Sequence, residues 1–534
     1  MLGPSPECYT PDMDAPDTET HVEVSTPSGS LRGRWIDGAA RFAGIPFAAS
    51  PTGAARFAPP VRAAPWDGVR PAESFGAVAP QNPSMMEALF GGEAERWDED
   101  CLRLNVWTPD PSPTARLPVM VWIHGGGFEM GSGSSPLYDG TAFARNGVVL
   151  VTLNYRLGAF GFLELGGLDP ELTGSGNVGL LDQVTALEWV QEHITAFGGD
   201  PDEVTVFGES AGAMSLSLLL AMPATAGLFH RAIAQSGAAA AARSLGAAMD
   251  DTREFMAAAG LEDLAALRAA SPEQLLAAHA AMASERTADP EGVIERTGNP
   301  LAFLAFRPVA DGTIVPEDPL AAIANGAAAE VPLLIGTNAE EWKLFAMMSP
   351  PPADEAALRQ RAEVVVTDAD AALEVYRAER AGATVADLEC ALLTDLVFRI
   401  PAARLAAAQA PHAPVHEYLW RWASPAWGGM IGAAHAIEIP FVFDLVEDHR
   451  LHVFVGPEAP RSLARATHEA WINFARTGRP AHRSLPEWPT VDGPGRPVMV
   501  LDTQPELVED PHGRSRAFWD TPAAALPHPR PVRS

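Results

Sequence analysis

The chain is predicted to adopt an α/β fold, with a central, mostly parallel sheet and helices on both faces, on three observations. The apolar runs Leu102 to Trp107, Val119 to Ile123 and Val148 to Leu153 are continuous, as expected for strands buried on both sides. The segment Asn177 to Phe197 sets Leu180, Leu181, Val184, Leu187, Trp189 and Ile194 at helical spacing and feeds Val204-Thr205-Val206-Phe207, giving the strand, helix, strand order of a parallel sheet. That strand runs into Gly208-Glu209-Ser210-Ala211-Gly212, where a serine between glycines can occupy a strained turn from strand to helix.

The remaining elements follow in chain order. Residues 1–20 carry Pro4, Pro6, Pro11 and Pro16 among acidic residues and are expected to be a disordered extension; they lack the basic start and apolar core of a signal peptide. Val22-Glu23-Val24 and Gly29 to Trp35 read as antiparallel strands around a turn, followed by Arg41 to Phe47. Beyond Ser236 the sequence turns helical to about Arg296, returns to strand at Val331 to Ile335, is helical again from Glu355 to Ala410, and suggests a strand at Val415 to Trp420. No flexible linker bounds either helical block. Residues 21–520 are therefore expected to form a single domain with insertions at about 237–307 and 346–410, leaving 521–534 as a tail. Trp122, Trp189, Trp420 and Trp422 read as core, and Asp311 as a turn residue.

Composition excludes several classes. With 47% hydrophobic and 20% charged residues, the chain has material for a large core. There are 68 acidic and 37 basic residues, a formal net charge of −31, and Lys343 is the only lysine, so a basic nucleic-acid footprint is absent. No run reaches the roughly 18 apolar residues of a membrane span. Cys8, Cys101 and Cys390 are an odd, widely spaced set that suits neither a disulfide framework nor a zinc site. The expectation is a cytoplasmic protein, a monomer, without cofactor, metal, nucleic-acid or membrane partner.

Ser210 is a candidate nucleophile, and a serine hydroxyl needs a base, a group that orients the base, and donors for an oxyanion. An α/β-hydrolase arrangement places the acid and then the histidine downstream of the serine, in loops beyond strands. The chain supplies Gly336-Thr337-Asn338-Ala339-Glu340-Glu341 and then Gly432-Ala433-Ala434-His435-Ala436-Ile437-Glu438. His435 is the candidate base, and on residue type alone either Glu340 or Glu341 can be the acid. His124-Gly125-Gly126-Gly127-Phe128, just after a buried strand, lets backbone N–H groups approach a bound carbonyl, and the Ala211 amide opens the helix after the serine. The partners of such a site are a small-molecule ester and water.

Together, Phe42-Ala43-Gly44-Ile45-Pro46-Phe47, Glu99 to Trp107, His124 to Phe128, Asn154-Tyr155-Arg156-Leu157-Gly158, Gly208 to Gly212 and His435 to Phe443 resemble the type-B carboxylesterases. That family includes bacterial para-nitrobenzyl esterases and, more distantly, cholinesterases. The resemblance runs from about residue 21 to Trp519. It implies an α/β-hydrolase fold and hydrolysis of carboxylic esters through an acyl-enzyme, with Ser210, Glu341 and His435 as a triad and Gly126, Gly127 and Ala211 as oxyanion donors. It further suggests that Glu209, Ser236 and Glu438 form a buried supporting network; ordinary structural hydrogen bonding is the equal alternative.

The departures from the family pattern also carry expectations. Ala79 stands where secreted members have the disulfide partner of Cys101, so Cys101 is expected to be a free, buried thiol. Gly91 stands near the choline-stacking tryptophan of cholinesterases, which removes the main cation–π platform for choline esters. Ala436 replaces a glycine common in relatives. Trp342 follows the acid where relatives have glycine, and is expected to shape the pocket. Small to medium, uncharged or aromatic esters are the expected substrates. A non-catalytic adhesion homologue is the alternative from another class, and an amidase or lipase the alternative among enzymes.

Overall fold

Continuous apolar runs form a sheet that is buried on both sides. A computed structural model describes residues 21–84, 96–297, 301–347, 350–491 and 495–525. Its strands are β1 (His21–Thr26), β2 (Gly29–Ile36), β3 (Ala39–Pro46), β4 (Val69–Pro71), β5 (Arg103–Thr108), β6 (Leu117–Ile123), β7 (Val149–Leu153) and β8 (Gly199–Glu209). They continue with β9 (Arg231–Gln235), β10 (Arg243–Ser244), β11 (Val309–Ala310), β12 (Leu333–Asn338), β13 (Val415–Trp420), β14 (Pro497–Leu501) and β15 (Glu506–Glu509). The large sheet has the order β1-β2-β3-β5-β7-β6-β8-β9-β12-β13-β14-β15, with β4 paired to β2. From β7 to β14 every pairing is parallel, and the antiparallel strands lie at the two ends.

Side chains alternate across this sheet with the period of two that strand geometry imposes. Val119, Val121, Ile123, Val204 and Val206 join one core with Leu180, Val184 and Leu187 of the helix Val178–His193 and Leu216 of the helix Ala211–Leu219. Met120, Trp122 and Phe207 join a second core with Trp471 and Phe474 of the helix Arg461–Thr477. Each fully buried side chain of this kind stabilises by roughly 1.5 to 3 kcal/mol. Helices thus cover both faces, as expected, and the four tryptophans read as core are buried.

The two helical blocks lie between strands of the sheet. The first contains the helices Leu245–Ala259, Leu264–Ala269, Pro272–Ala288 and Pro290–Thr297, and the parallel pair β10 and β11 joins its ends. Two residues per strand are too few to give a periodic signal in sequence. The second contains Glu355–Val365, Ala369–Glu379, Val385–Thr394, a π-helical turn Asp395–Arg399 and Ile400–Gln409. It has a core of its own, in which Leu358, Leu373, Tyr376 and Leu388 pack with Phe518 and Trp519 near the C-terminus. The expected tail begins within folded structure: Ala524 is buried there, and the Thr367 N–H donates to the Ala525 carbonyl at 2.9 Å. The expected extension 1–20, Cys8, Gly91 and residues 526–534 lie outside the described residues.

Several motifs hold the scaffold. Arg156 makes a buried, two-pronged pair with Asp182, at 2.7 and 2.8 Å. Asn105 accepts from the Gly44 N–H at 2.9 Å and donates to the Thr152 hydroxyl at 3.0 Å. Asp311 Oδ1 accepts from the N–H groups of Thr313, Ile314 and Val315, which is the expected turn. Cys101 is a free, buried thiol whose pKa burial pushes well up, so it is chemically quiet. Among the described residues no helix is long and apolar enough to cross a membrane.

Candidate active site

The carboxyl edge of the parallel strands gathers the expected residues. β6 ends at Ile123 before the glycine run, β8 at Glu209 before Ser210, and β12 at Asn338 before the glutamates; His435 lies in the loop beyond β13. Register aligns these exits, because Ile123 pairs with Gly208, Glu209 with Gln235, and Gln235 with Gly336.

The turn at Ser210 has φ 53° and ψ −123°, a region that costs a non-glycine residue about 1 to 3 kcal/mol. Packing enforces it. A Cβ on Gly212 would overlap the Ile123 carbonyl, and one on Gly208 would lie 2.7 Å from that same oxygen. The Ser210 N–H donates to the Gln235 carbonyl at 2.9 Å, tying the turn to β9. Ala211 is the first residue of the following helix, so its N–H has no intrahelical acceptor and faces the turn.

Gly126 and Gly127 adopt φ 109° and 63°, and a Cβ on Gly126 would collide with the Met130 carbonyl. A Cβ on Gly125 would lie 2.8 Å from Glu209 Oε2 and 3.1 Å from Ser210 Cβ. The glycine run thus lies against the serine turn. His124 stacks on Tyr155 with ring centroids 4.5 Å apart, and burial lowers its pKa to about 4, so it is a neutral, structural imidazole.

The two glutamates take different places. Glu341 Oε2 lies 2.7 Å from His435 Nδ1, and its Oε1 accepts from the Asn338 N–H at 2.6 Å. Glu340 instead accepts from the Ala433 N–H at 3.0 Å, returns its own N–H to the Ala433 carbonyl, and pairs with Lys343 at 2.7 Å. It therefore pins the histidine loop from outside. Asn338 Nδ2 donates to the Ala434 carbonyl at 2.8 Å from within.

Three buried carboxylates surround the imidazole. Glu209 Oε1 lies 3.1 Å from His435 Nε2, within ion-pair distance but without hydrogen-bond geometry. Glu438 accepts from Gln235 Nε2 at 3.0 Å and Asn338 Nδ2 at 2.7 Å, and Gln235 is held in turn by Trp471 Nε1 at 2.9 Å. Ser236 is buried with φ 52°, yet its hydroxyl makes no hydrogen bond, so it is near this network without joining it. Gln235, Asn338 and Trp471 are participants that sequence reading missed, since the bonds join positions 100 to 236 residues apart and no local pattern marks them.

Burial alone would lower the His435 pKa, but Glu209, Glu341 and Glu438 outweigh it and raise it to about 9. Burial pushes the Glu209 carboxyl well above the usual carboxylate range, against the pull of His435 and with help from Glu438 and Glu341. Glu438 is raised by burial and by Glu341. Glu341, in contact with Nδ1, raises the His435 pKa whatever the state of Glu209.

These groups open into a cavity of about 710 Å³. The edge contributes Gly125, Gly126, Gly127, Glu209, Ser210, Ala211 and His435, and the helical blocks contribute apolar side chains including Leu301, Leu304 and Phe398. Trp342 lines the cavity, as expected for a pocket-shaping residue. Phe345 and Phe398 pack on the imidazole of His435, with centroids 5.1 and 4.7 Å away. An apolar cavity with a few convergent polar groups suits a small organic substrate. Among the described residues no cluster of histidine, cysteine, aspartate or glutamate is arranged to hold a metal ion.

Comparison with known proteins finds esterases and other hydrolases. The model of the carboxylesterase family matches residues 19–519. Bacillus subtilis para-nitrobenzyl esterase is 40% identical over 508 residues, covering 93% of this chain and 98% of that one. Phenmedipham hydrolase from Pseudarthrobacter oxydans is 35% identical over 500 residues, 92% and 97% of the two chains. The crystal structure of a Geobacillus stearothermophilus carboxylesterase superimposes with a TM-score of 0.82 at 38% identity, covering 93% of this chain and all of that one.

Proposed function

The chain belongs to the carboxylesterase family and is a carboxylic ester hydrolase of the α/β-hydrolase fold, and from that premise we propose that it works through a Ser210, His435, Glu341 triad and an acyl-enzyme. The relatives named above are hydrolases, and Ser210, Glu341 and His435 are all present, where a non-catalytic homologue is expected to lack at least one. The observation that carries the reading is the 2.7 Å contact between Glu341 and His435 Nδ1 on the same sheet edge as the strained Ser210 turn.

In this mechanism the Ser210 Oγ attacks the ester carbonyl while His435 Nε2 takes its proton. Glu341 fixes the tautomer that leaves Nε2 free to accept, and it steadies the imidazolium that forms. The N–H groups of Gly126, Gly127 and Ala211 hold the developing oxyanion, each worth roughly 3 kcal/mol in the transition state. Collapse expels the alcohol, protonated by His435, and leaves Ser210 acylated. Water then attacks the acyl group with His435 again as base, and the carboxylic acid departs.

Glu438, with Gln235 and Asn338, supports the loops that carry His435 and Glu341. The substrates are small to medium, uncharged or aromatic esters, in keeping with the apolar cavity. The chain acts without cofactor, as a monomer in the cytoplasm.

Covalent labelling tests the assignment. A fluorophosphonate should attach to Ser210, located by peptide mass spectrometry, and Ser210→Ala should abolish both labelling and turnover of p-nitrophenyl esters. Labelling at another serine, or turnover surviving in the variant, would sink the triad.

A further inference from the structure

The cavity carries a second carboxylate that the proposed reaction leaves unused. Glu129 lines the cavity, one residue past the His124 to Phe128 motif. Its N–H donates to the Gly126 carbonyl at 3.0 Å, so the turn that aims the glycine amides also sets this side chain. Its Oε1 lies 3.1 Å from His279 Nε2, a contact without hydrogen-bond geometry, and has no hydrogen-bond partner. That oxygen is buried beside His279, while the side chain as a whole lines the cavity, and a carboxylate has about four acceptor sites, more than this one contact fills.

The alternative is that Glu129 only balances a buried charge. His279 answers one oxygen only, and Arg307 is the remaining candidate, since it and Glu129 attract each other electrostatically. Arg307 nevertheless directs its N–H groups to the carbonyls of Leu304 at 3.0 Å and Ala241 at 2.8 Å. Burial and neighbouring Arg243 lower its pKa to about 9, which leaves it cationic at neutral pH. Arg307 thus attracts Glu129 through its field without occupying the carboxylate's acceptor sites. Arg450, the cation that lines the cavity, is bound to Asp448 at 3.0 and 2.9 Å and does not answer Glu129 either.

We propose that Glu129 is a substrate-binding subsite that selects esters bearing a primary ammonium group on the portion lying along that wall. An ammonium brings both opposite charge and N–H donors, which a carboxylate with open acceptor sites can use. A hydroxyl supplies a donor without the charge and is the weaker partner. A quaternary ammonium keeps the charge without a donor and gains less than a primary ammonium, and a second carboxylate on the substrate is repelled. The inference rests on the ester hydrolysis read above and departs from its uncharged substrates by naming cationic esters as the preferred class.

Paired ethyl esters test the proposal with the full chain at pH 7. One member of each pair ends its acyl chain in an ammonium and the other in a methyl group, with acyl lengths from six to ten carbons. At one length the wild type should favour the ammonium ester in kcat/KM by roughly 10- to 100-fold, the worth of a charge-assisted hydrogen bond. Glu129→Gln should bring that ratio close to one, and a trimethylammonium ester should show a smaller preference than the ammonium ester in the wild type and none in the variant. Each ratio is taken within one protein, so a general loss of activity cancels. Should the variant be too poorly folded to assay, inhibition of wild-type p-nitrophenyl acetate hydrolysis decides: n-hexylammonium must inhibit at least tenfold more strongly than n-hexanol. Equal ratios in wild type and variant, or equal inhibition by the two probes, would overturn the subsite and leave ester hydrolysis standing. No turnover of any ester would overturn the esterase reading with it.

Discussion

At the carboxyl edge of the sheet, polar side chains are held by buried hydrogen bonds from neighbouring strands, and the backbone is forced into turns with no room for a Cβ. The helical blocks that face this edge across the cavity hold partly buried polar contacts of their own, such as Arg286 with Asp251 at 2.6 Å, but they present mostly apolar groups to the cavity. Their tolerances differ accordingly. Moving an edge residue leaves a buried charge or donor unpaired, which is severe, whereas trimming a cover residue changes the shape of a space already open to ligand. The edge sets which reaction occurs, and the cover sets which ester fits.

Glu341→Gln gives the largest effect among the tests that separate the two regions. The amide preserves shape but removes the acceptor charge at Nδ1, and kcat for p-nitrophenyl acetate should fall by about 10⁴-fold. The pH profile sharpens this. In the proposed mechanism neutral His435 is the active form, and its carboxylate neighbours raise its pKa to about 9, so wild-type activity should climb with pH up to that region. Removing one carboxylate lowers the pKa, so the residual activity of the variant should reach its plateau at lower pH. A rate unchanged by the substitution would show that the edge does not act as a unit.

That edge was largely legible in the sequence, for a physical reason. Gly125 to Gly127, Gly208 and Gly212 are fixed by backbone demands within a few residues, and such demands leave a local signature. The choice between Glu340 and Glu341 was not legible from residue type, because both lie in one loop and only the fold sends one to Nδ1 and the other to the Ala433 N–H. Gln235 and Asn338 escaped notice because their bonds to Glu438 span long stretches of chain. The cover was readable as helix but not as pocket. Phe345 and Phe398, which pack on His435, look in sequence like any other core aromatics. The strands β14 and β15 and the helix Arg461–Thr477 complete the sheet and its second face, and were not anticipated.

Leu304→Ala probes the cover and should have an intermediate effect. This leucine belongs to the first helical block, lines the cavity, and its Cδ2 would lie 3.1 Å from a Cβ built on Gly127. Shortening it enlarges the space beside the glycine amides without removing a polar group. The ratio of kcat/KM for bulky over short acyl esters should rise by roughly tenfold, the worth of one or two methylenes in a pocket. A loss of activity comparable to that of the Glu341 variant, with no change in preference, would contradict the division between edge and cover.

Ala436→Gly should have the smallest effect and tests whether strain at the edge serves the reaction. Ala436 lies beside His435 with φ 67°, where an L-residue is disfavoured by about 1 to 2 kcal/mol and glycine is at ease. Glycine costs part of that gain through the freedom it gives the unfolded chain, so the net stabilisation should be about 0.5 kcal/mol by denaturant unfolding. The alanine methyl sits at the cavity wall and the loop is pinned independently by Glu340, Asn338 and Glu341, so kcat should stay within about twofold. Should the relaxed variant instead lose tenfold or more in kcat while gaining stability, the strain at position 436 would be part of how the histidine is aimed. The edge would then have to be seen as held in tension as well as hydrogen-bonded, unlike the cover.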